Sequence, residues 1–171
     1  MYFEVIIIII IIIIIIIIII IIIKVSVPFT YGSVVKSITM ATIEPSPGEI
    51  GIISGWGSTD PEEDYTDHLK VLSVPIIDRE SCSKAYVGYQ EVTTNMVCAG
   101  YIEGLKDACH SDSGGPLMVA GKLAGIISWG VGCAEPGHPG VYTSVAAVRN
   151  FVNYTTGVQW RLFRNVLFPS S

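Results

Sequence analysis

The residues with the most chemical potential lie in one run, Asp107-Ala108-Cys109-His110-Ser111-Asp112-Ser113-Gly114-Gly115-Pro116-Leu117. Ser113 stands between an acid and two glycines, just before an apolar stretch that reads as a β-strand. Glycines at that point favour a tight turn that exposes the hydroxyl and lets another backbone approach closely. A serine hydroxyl becomes a good nucleophile only when a neighbouring base takes its proton and a third group orients that base. The available imidazoles are His68 in an acidic stretch, His138 beside a turn proline, and His110 in the serine run itself. Each reads as a surface histidine, and Ser-Gly-Gly taken alone reads as an ordinary glycine-rich turn.

The flanking motifs carry more. Gly55-Trp56-Gly57, Met96-Val97-Cys98-Ala99-Gly100-Tyr101, Ser128-Trp129-Gly130 and Pro139-Gly140-Val141-Tyr142-Thr143 bracket the serine run. Together the five motifs resemble the chymotrypsin-like serine proteases in their trypsin-like form, in family order over roughly residues 24–157. The serine run departs from the usual Asp-Ser-Cys-Gln-Gly-Asp-Ser-Gly-Gly-Pro at Ala108, His110 and Ser111. The resemblance covers only the second half of such a protease. It implies an all-β fold, one six-stranded antiparallel Greek-key barrel with a short C-terminal helix. The family builds its active site in a cleft between two such barrels. The implied activity is peptide-bond hydrolysis after Arg or Lys, with a polypeptide substrate or inhibitor as partner, no cofactor and no metal.

Roles follow from the same resemblance. Ser113 matches the nucleophile, and the backbone N–H groups of Ser111 and Ser113 match the oxyanion hole. The family strongly favours glycine where Ser111 stands, so a Cβ there is expected to restrict φ and weaken the hole. Asp107 matches the acid at the base of the primary specificity pocket, where it would pair with a substrate cation. Ser128, Trp129, Gly130 and Gly140 match the pocket walls, the two glycines keeping room for a long side chain. Asp112 matches a buried acid that pairs with a freed amino terminus. No such terminus is evident, so the expectation is a zymogen-like loop or a protonated carboxyl; an open, solvated Asp112 is the other reading.

The family places its catalytic histidine and aspartate upstream of the segment that begins here near Lys24. The aspartate position falls within eighteen consecutive isoleucines, Ile6 to Ile23, and no Ala-Ala-His-Cys-like or Ile-Val-Gly-Gly-like segment occurs. The chain as encoded is therefore expected to be truncated and without meaningful proteolysis. One alternative is a non-catalytic protease homologue that binds protein or peptide ligands. Another is a membrane-anchored fragment, since Val5–Ile23 is just long enough to span a bilayer. The run also reads as an aggregation-prone strand former, or as a repeat expansion or gene-model error.

Length, charge and cysteine usage narrow the class. A chain of 171 residues suits one domain, and a net charge of -5 without a basic cluster excludes a nucleic-acid binder. The 17 glycines and 9 prolines, spread along the chain, argue for many turns and little helix. Four cysteines, Cys82, Cys98, Cys109 and Cys133, suit two disulfides in an oxidising compartment, and sequence alone allows three pairings. Four free buried thiols in a cytosolic protein is the competing reading; no Cys-x-x-Cys or paired histidines suggest zinc. The resemblance selects Cys82–Cys98 and Cys109–Cys133 and implies a secreted protein. It also places Gly51 and Val119 where a third family disulfide is common.

The elements that must position these residues follow from pattern. Residues 1–23 stand outside the domain, 24–157 form it, and 158–171 read as an unstructured extension. Val25, Val27 and Phe29 alternate as in a half-buried strand. Ile50 to Trp56 reads as a strand and Asp60 to Asp67 as an exposed acidic loop. Leu69 to Ile76 reads as a strand buried on both faces, with Pro75 near its end. Asp78 can cap a short helix to about Tyr86. Leu117–Val119 and Leu123–Ser128 read as a hairpin around Ala120-Gly121-Lys122. Gly140 to Val145 reads as a strand, and Val145, Val148 and Val152 have helical spacing. Asn153-Tyr154-Thr155 is a glycosylation sequon.

Overall fold

The computed structural model describes residues 5–6, 20, 22–60 and 63–157. Its frame is a long antiparallel hairpin of β4 (Ile50–Asp60) and β5 (Glu63–Ile77). Six strands close into the expected barrel: β4, β5, β6 (Met96–Ala99), β9 (Gly140–Ser144), β8 (Lys122–Trp129) and β7 (Pro116–Val119), which returns to β4. Every neighbouring pair in that circuit is antiparallel. Closure removes the free edges that an open sheet would expose. A two-residue β3 (Thr39–Met40) adds in parallel to β8.

The core follows from the two-residue period of the strands, which sends alternate side chains inward. Ile53, Val74, Ile76, Leu117, Ile127 and Tyr142 fill the barrel's interior. Two short helices seal its flanks. α1 (Arg79–Ala85) is capped as expected by Asp78, whose carboxylate accepts from Ser81 N, and it buries Cys82 against β6. α2 (Val145–Thr156) starts at Ser144, whose hydroxyl accepts from Ala147 N, and stops at Gly157 in the left-handed region at φ 65°. Val145 and Val152 of α2 pack against Met40 and Ile126.

Four local expectations are corrected. Within the acidic stretch from Asp60 to Asp67 the described residues are strand and not loop: Gly57 pairs with Tyr65 and Asp60 with Glu63, so β4 and β5 run on as a ribbon. Composition predicted its exposure, but exposure does not oppose strand pairing. The β5 segment is buried on one face only, with Val74 and Ile76 inside and Leu69 and Val71 exposed. Val25, Val27 and Phe29 form no strand; Val27 and Phe29 are exposed, and no described strand lies beside them to complete the pairing. The β7–β8 turn is two residues, Ala120 and Gly121, at φ 48° and 72°, with Val119 facing Lys122. Positive φ at both positions matches the right-handed strand twist, which favours this tighter turn.

Of the isoleucine run, Ile6 and Ile23 pair in a small ladder of β1 (Val5–Ile6) and β2 (Ile23–Lys24). Ile20 and Ile22 pack on the Met40–Val152 cluster. Residues 7–19 and 21 lie outside the described residues, as does the 158–171 extension. Among the described residues no helix is long and apolar enough to cross a membrane.

Candidate active site

The serine run forms two successive tight turns ahead of β7. Asp112 N donates to Cys109 O at 3.1 Å, and Gly115 N to Asp112 O at 2.9 Å. The far end is stitched to β8: Gly114 N donates to Ile127 O and Ile127 N to Gly115 O, both at 2.9 Å. A Cβ on Gly115 would stand 2.8 Å from Asp112 O, so the turn requires glycine there. Ser113 is left exposed at the crest. Among the described residues no acceptor meets the N–H groups of Ser111 or Ser113, and no partner meets the Ser113 hydroxyl. Ser111 sits at φ 68°, the left-handed region that side chains disfavour.

Asp112 is partnered by backbone and partly withdrawn from solvent. The side chain is half-buried beneath β4, where Oδ1 accepts from Gly57 N at 2.8 Å and Oδ2 from Cys109 N at 3.0 Å. A Cβ on either Gly55 or Gly57 would run into this carboxylate. The Gly-Trp-Gly motif therefore makes room for the acid and supplies one of its donors, a role its sequence did not disclose. Ser58 N also donates to His110 O at 2.9 Å, a second tie between β4 and the loop.

Beside the loop opens a cavity of about 220 Å³ whose lining includes both Asp107 and Ser113. Asp107 Oδ1 accepts from Ala108 N at 2.8 Å and Oδ2 from Ala134 N at 3.4 Å. Burial pushes its carboxyl above the ordinary carboxylate range; the two amides pull back, and the Asp112 charge adds to the rise. The two ion pairs among the described residues, Arg79–Glu44 and Lys84–Glu80, leave Asp107 without a cation. Ser128, Trp129, Gly130 and Gly140 all line the cavity. The two glycines act differently. A Cβ on Gly140 would stand 2.8 Å from Asp107 Oδ1, whereas one on Gly130 would meet only the Tyr86 hydroxyl at 3.7 Å.

Two tyrosines of the site were not singled out from sequence. Tyr142 is 1% exposed and its hydroxyl has no hydrogen-bond partner among the described residues. Burial, then the charge of Asp107, raises its pKa. Its position inside the Pro139–Thr143 motif was the only signal. Tyr86 donates from its hydroxyl to Pro139 O at 2.6 Å and packs edge-on against Trp129 at 4.7 Å, bracing the cavity wall from behind. Burial and the nearby Asp107 lift its pKa to about 12.

Covalent ties agree with the implied pairing. Cys82–Cys98 fastens α1 to β6, and Cys109–Cys133 fastens the serine run to the opposite cavity wall. With both sulfurs oxidised, Cys109 and Cys133 beside His110 offer no thiolate to a metal. Gly51 and Val119 face each other directly across β4 and β7, where a third bridge would sit. Leu117 fills that space instead, its Cδ1 2.5 Å from where a Gly51 Cβ would be. Of the histidines, His110 is exposed at the cavity and His68 is exposed on β5. His138 lies edge-on to Tyr86 and Tyr89, at 5.6 and 5.1 Å.

Comparison with known proteins agrees with this geometry. The trypsin family model matches residues 20–152. The chain is 45% identical over 126 residues to trypsin eta of Drosophila erecta, covering 74% of this chain and 48% of that protein. It is 42% identical over 133 residues to trypsin-3 of Salmo salar, covering 77% of this chain and 55% of that protein. The chain thus spans about half the length of the relatives it matches.

Proposed function

This chain belongs to the trypsin family, and on that premise we propose that it is the nucleophile-bearing barrel of a secreted serine endopeptidase that cleaves after Arg or Lys. The observation that carries the reading is the single cavity shared by the Asp107 carboxylate and Ser113. A substrate guanidinium or ammonium at Asp107 would anchor the residue before the scissile bond, and Gly140 leaves that acid unobstructed. Ser113 would attack the carbonyl, with the unengaged N–H groups of Ser111 and Ser113 receiving the oxyanion. Two disulfides suit an oxidising, extracellular compartment.

The base that takes the Ser113 proton is not supplied by any described residue beside that hydroxyl. Turnover therefore requires an element that carries an oriented imidazole, because removing the triad's base costs on the order of a millionfold. The 171-residue chain by itself should bind a cationic ligand without hydrolysing substrates or reacting at Ser113 with a fluorophosphonate. The test is titration of the chain with p-aminobenzamidine, an amidine whose fluorescence rises in a dry site. Saturable binding abolished by Asp107→Asn supports the reading. No binding by the folded wild-type chain, or binding indifferent to Asp107→Asn, overturns it.

A further inference from the structure

α2 carries the one Asn-x-Ser/Thr tripeptide of the sequence, Asn153-Tyr154-Thr155, and none of its three residues lines the cavity of Asp107 and Ser113. Such a tripeptide becomes an acceptor only in a chain that takes a secretory route, and the fold must leave room for a sugar on the asparagine Nδ2. The two disulfides suit that route. Room is decided by how α2 turns its side chains. Successive helical residues are rotated by about 100°, so Asn153 stands one step round from Val152, which is buried against the core. At that margin Asn153 is half-buried, and its amide is divided. Oδ1 is buried without a hydrogen-bond partner, whereas Nδ2 is not buried and bonds to no described residue. Arg149, one turn earlier on the same side of α2, has its Nε buried and also without a hydrogen-bond partner. A carbonyl oxygen suits a place beside that donor, and an NH2 group, which only donates, does not. The same rotamer that turns Oδ1 inward therefore turns Nδ2 outward. Tyr154 and Thr155 beside it are exposed.

We propose that Asn153 is a site of N-linked glycosylation, with Nδ2 as the acceptor atom and a polyprenyl-diphosphate-linked oligosaccharide as the donor. The new bond joins Nδ2 to the anomeric carbon of the first sugar. The bond from that carbon to the diphosphate oxygen breaks, the lipid diphosphate leaves, and one amide proton is lost. The product keeps one N–H and the whole of Oδ1, so the buried side of the amide is unchanged. Asn153 lies in the last turn of α2, before Gly157, where a helix opens most readily. The transferase can thus take the tripeptide in an unwound form, and the helix closes afterwards with the sugar outside. The proposal goes beyond the peptidase reading and takes from it only the secretory route.

The test sends the full chain into a eukaryotic secretory pathway behind a cleavable signal peptide, with a flexible acceptor tag at its amino end that reports entry. Only chains glycosylated at the tag are scored. The wild type should carry a second glycan, removed by peptide-N-glycosidase, and mass spectrometry should then find residue 153 deamidated. Asn153→Gln and Thr155→Ala should each lose the second glycan, and Thr155→Ser should keep it. The doubly glycosylated chain should be secreted with both disulfides formed, to the same extent as Asn153→Gln. A wild type with the tag glycan alone, or a second glycan that survives Asn153→Gln and Thr155→Ala, overturns the proposal. Selective retention of the doubly glycosylated form overturns it too, because the folded helix would then not tolerate the sugar. Failure of p-aminobenzamidine binding with the glycan in place overturns only the pocket reading, so the two failures are separable.

Discussion

Asp107 and Asp112 stand five residues apart on one loop, and the barrel treats them in opposite ways. Asp112 is packed against two glycines of β4 and bonded to Gly57 N and Cys109 N, so its place is built into the fold. Asp107 is half-buried beside a cavity, with a short bond to its neighbour Ala108 N and a longer one to Ala134 N. Its pKa is raised chiefly by burial. One acid is bonded across to β4 and holds the turn; the other, bonded more weakly and beside a cavity, is placed to receive a ligand. Uncompensated desolvation is costly in the free protein, and a bound cation returns that cost as affinity. An identical functional group thus becomes structural or receptive according to what stands around it.

The largest effects should come from exchanging these conditions. Asp107→Asn keeps the shape and removes the charge, so p-aminobenzamidine affinity should fall at least about 100-fold, since losing one partner of a buried pair costs about 3–5 kcal/mol. The same change should leave the fold intact or more stable, because a strained charge is removed. Gly55→Ala attacks the other acid. Its Cβ meets the Asp112 carboxylate with β4 behind it, so the loop must shift at a cost of about 1–3 kcal/mol, read as a lower unfolding midpoint. Should Gly55→Ala cost nothing while Asp107→Asn unfolds the chain, the assignment of the two acids is reversed.

How legible these two acids were in the sequence differs in the same way. The pocket side was readable because its parts are short motifs: Asp107, Ser128-Trp129-Gly130 and Pro139-Gly140 each occupy a fixed register. The support of Asp112 was not, because the partners are backbone N–H groups and absent side chains, which no residue type announces. Both helices could be read from apolar spacing and caps, and the barrel from the family resemblance. The β4–β5 ribbon could not, since five acids among residues 60–67 report on solvent and not on pairing. The alternation at Val25–Phe29 failed for the converse reason. Period-two patterning specifies which face a strand would bury, but a strand exists only when another backbone takes its hydrogen bonds.

A pH series, run on the wild type and on one variant, separates the two acids. Asp107 is raised, so in the window between the ordinary carboxylate pKa and its own the folded chain binds more protons than the unfolded chain. Stability should therefore decline as pH rises through that window. Asp107→Asn should remove this decline. Amidine binding must run the other way, strengthening over the same interval as Asp107 ionises to receive the cation. Opposite slopes for stability and binding, both cancelled by one substitution, would be difficult to obtain from any other residue of the loop.

The smallest effect tests the turn between the two acids. Ser111 holds φ 68° with its Cβ in place, whereas Gly114, at φ 84°, meets the same demand without one. The left-handed region costs a non-glycine residue roughly 1–2 kcal/mol, and glycine returns part of that through its more flexible unfolded state. Ser111→Gly should thus stabilise the chain by about 1 kcal/mol, a midpoint rise of about 3 °C. It should leave the Asp107 cavity and its amidine affinity as they were, because the Ser111 side chain is exposed and makes no bond among the described residues. If Ser111→Gly instead changes amidine affinity, the turn and the pocket are one cooperative unit, and the division of labour between Asp112 and Asp107 is weaker than their surroundings indicate.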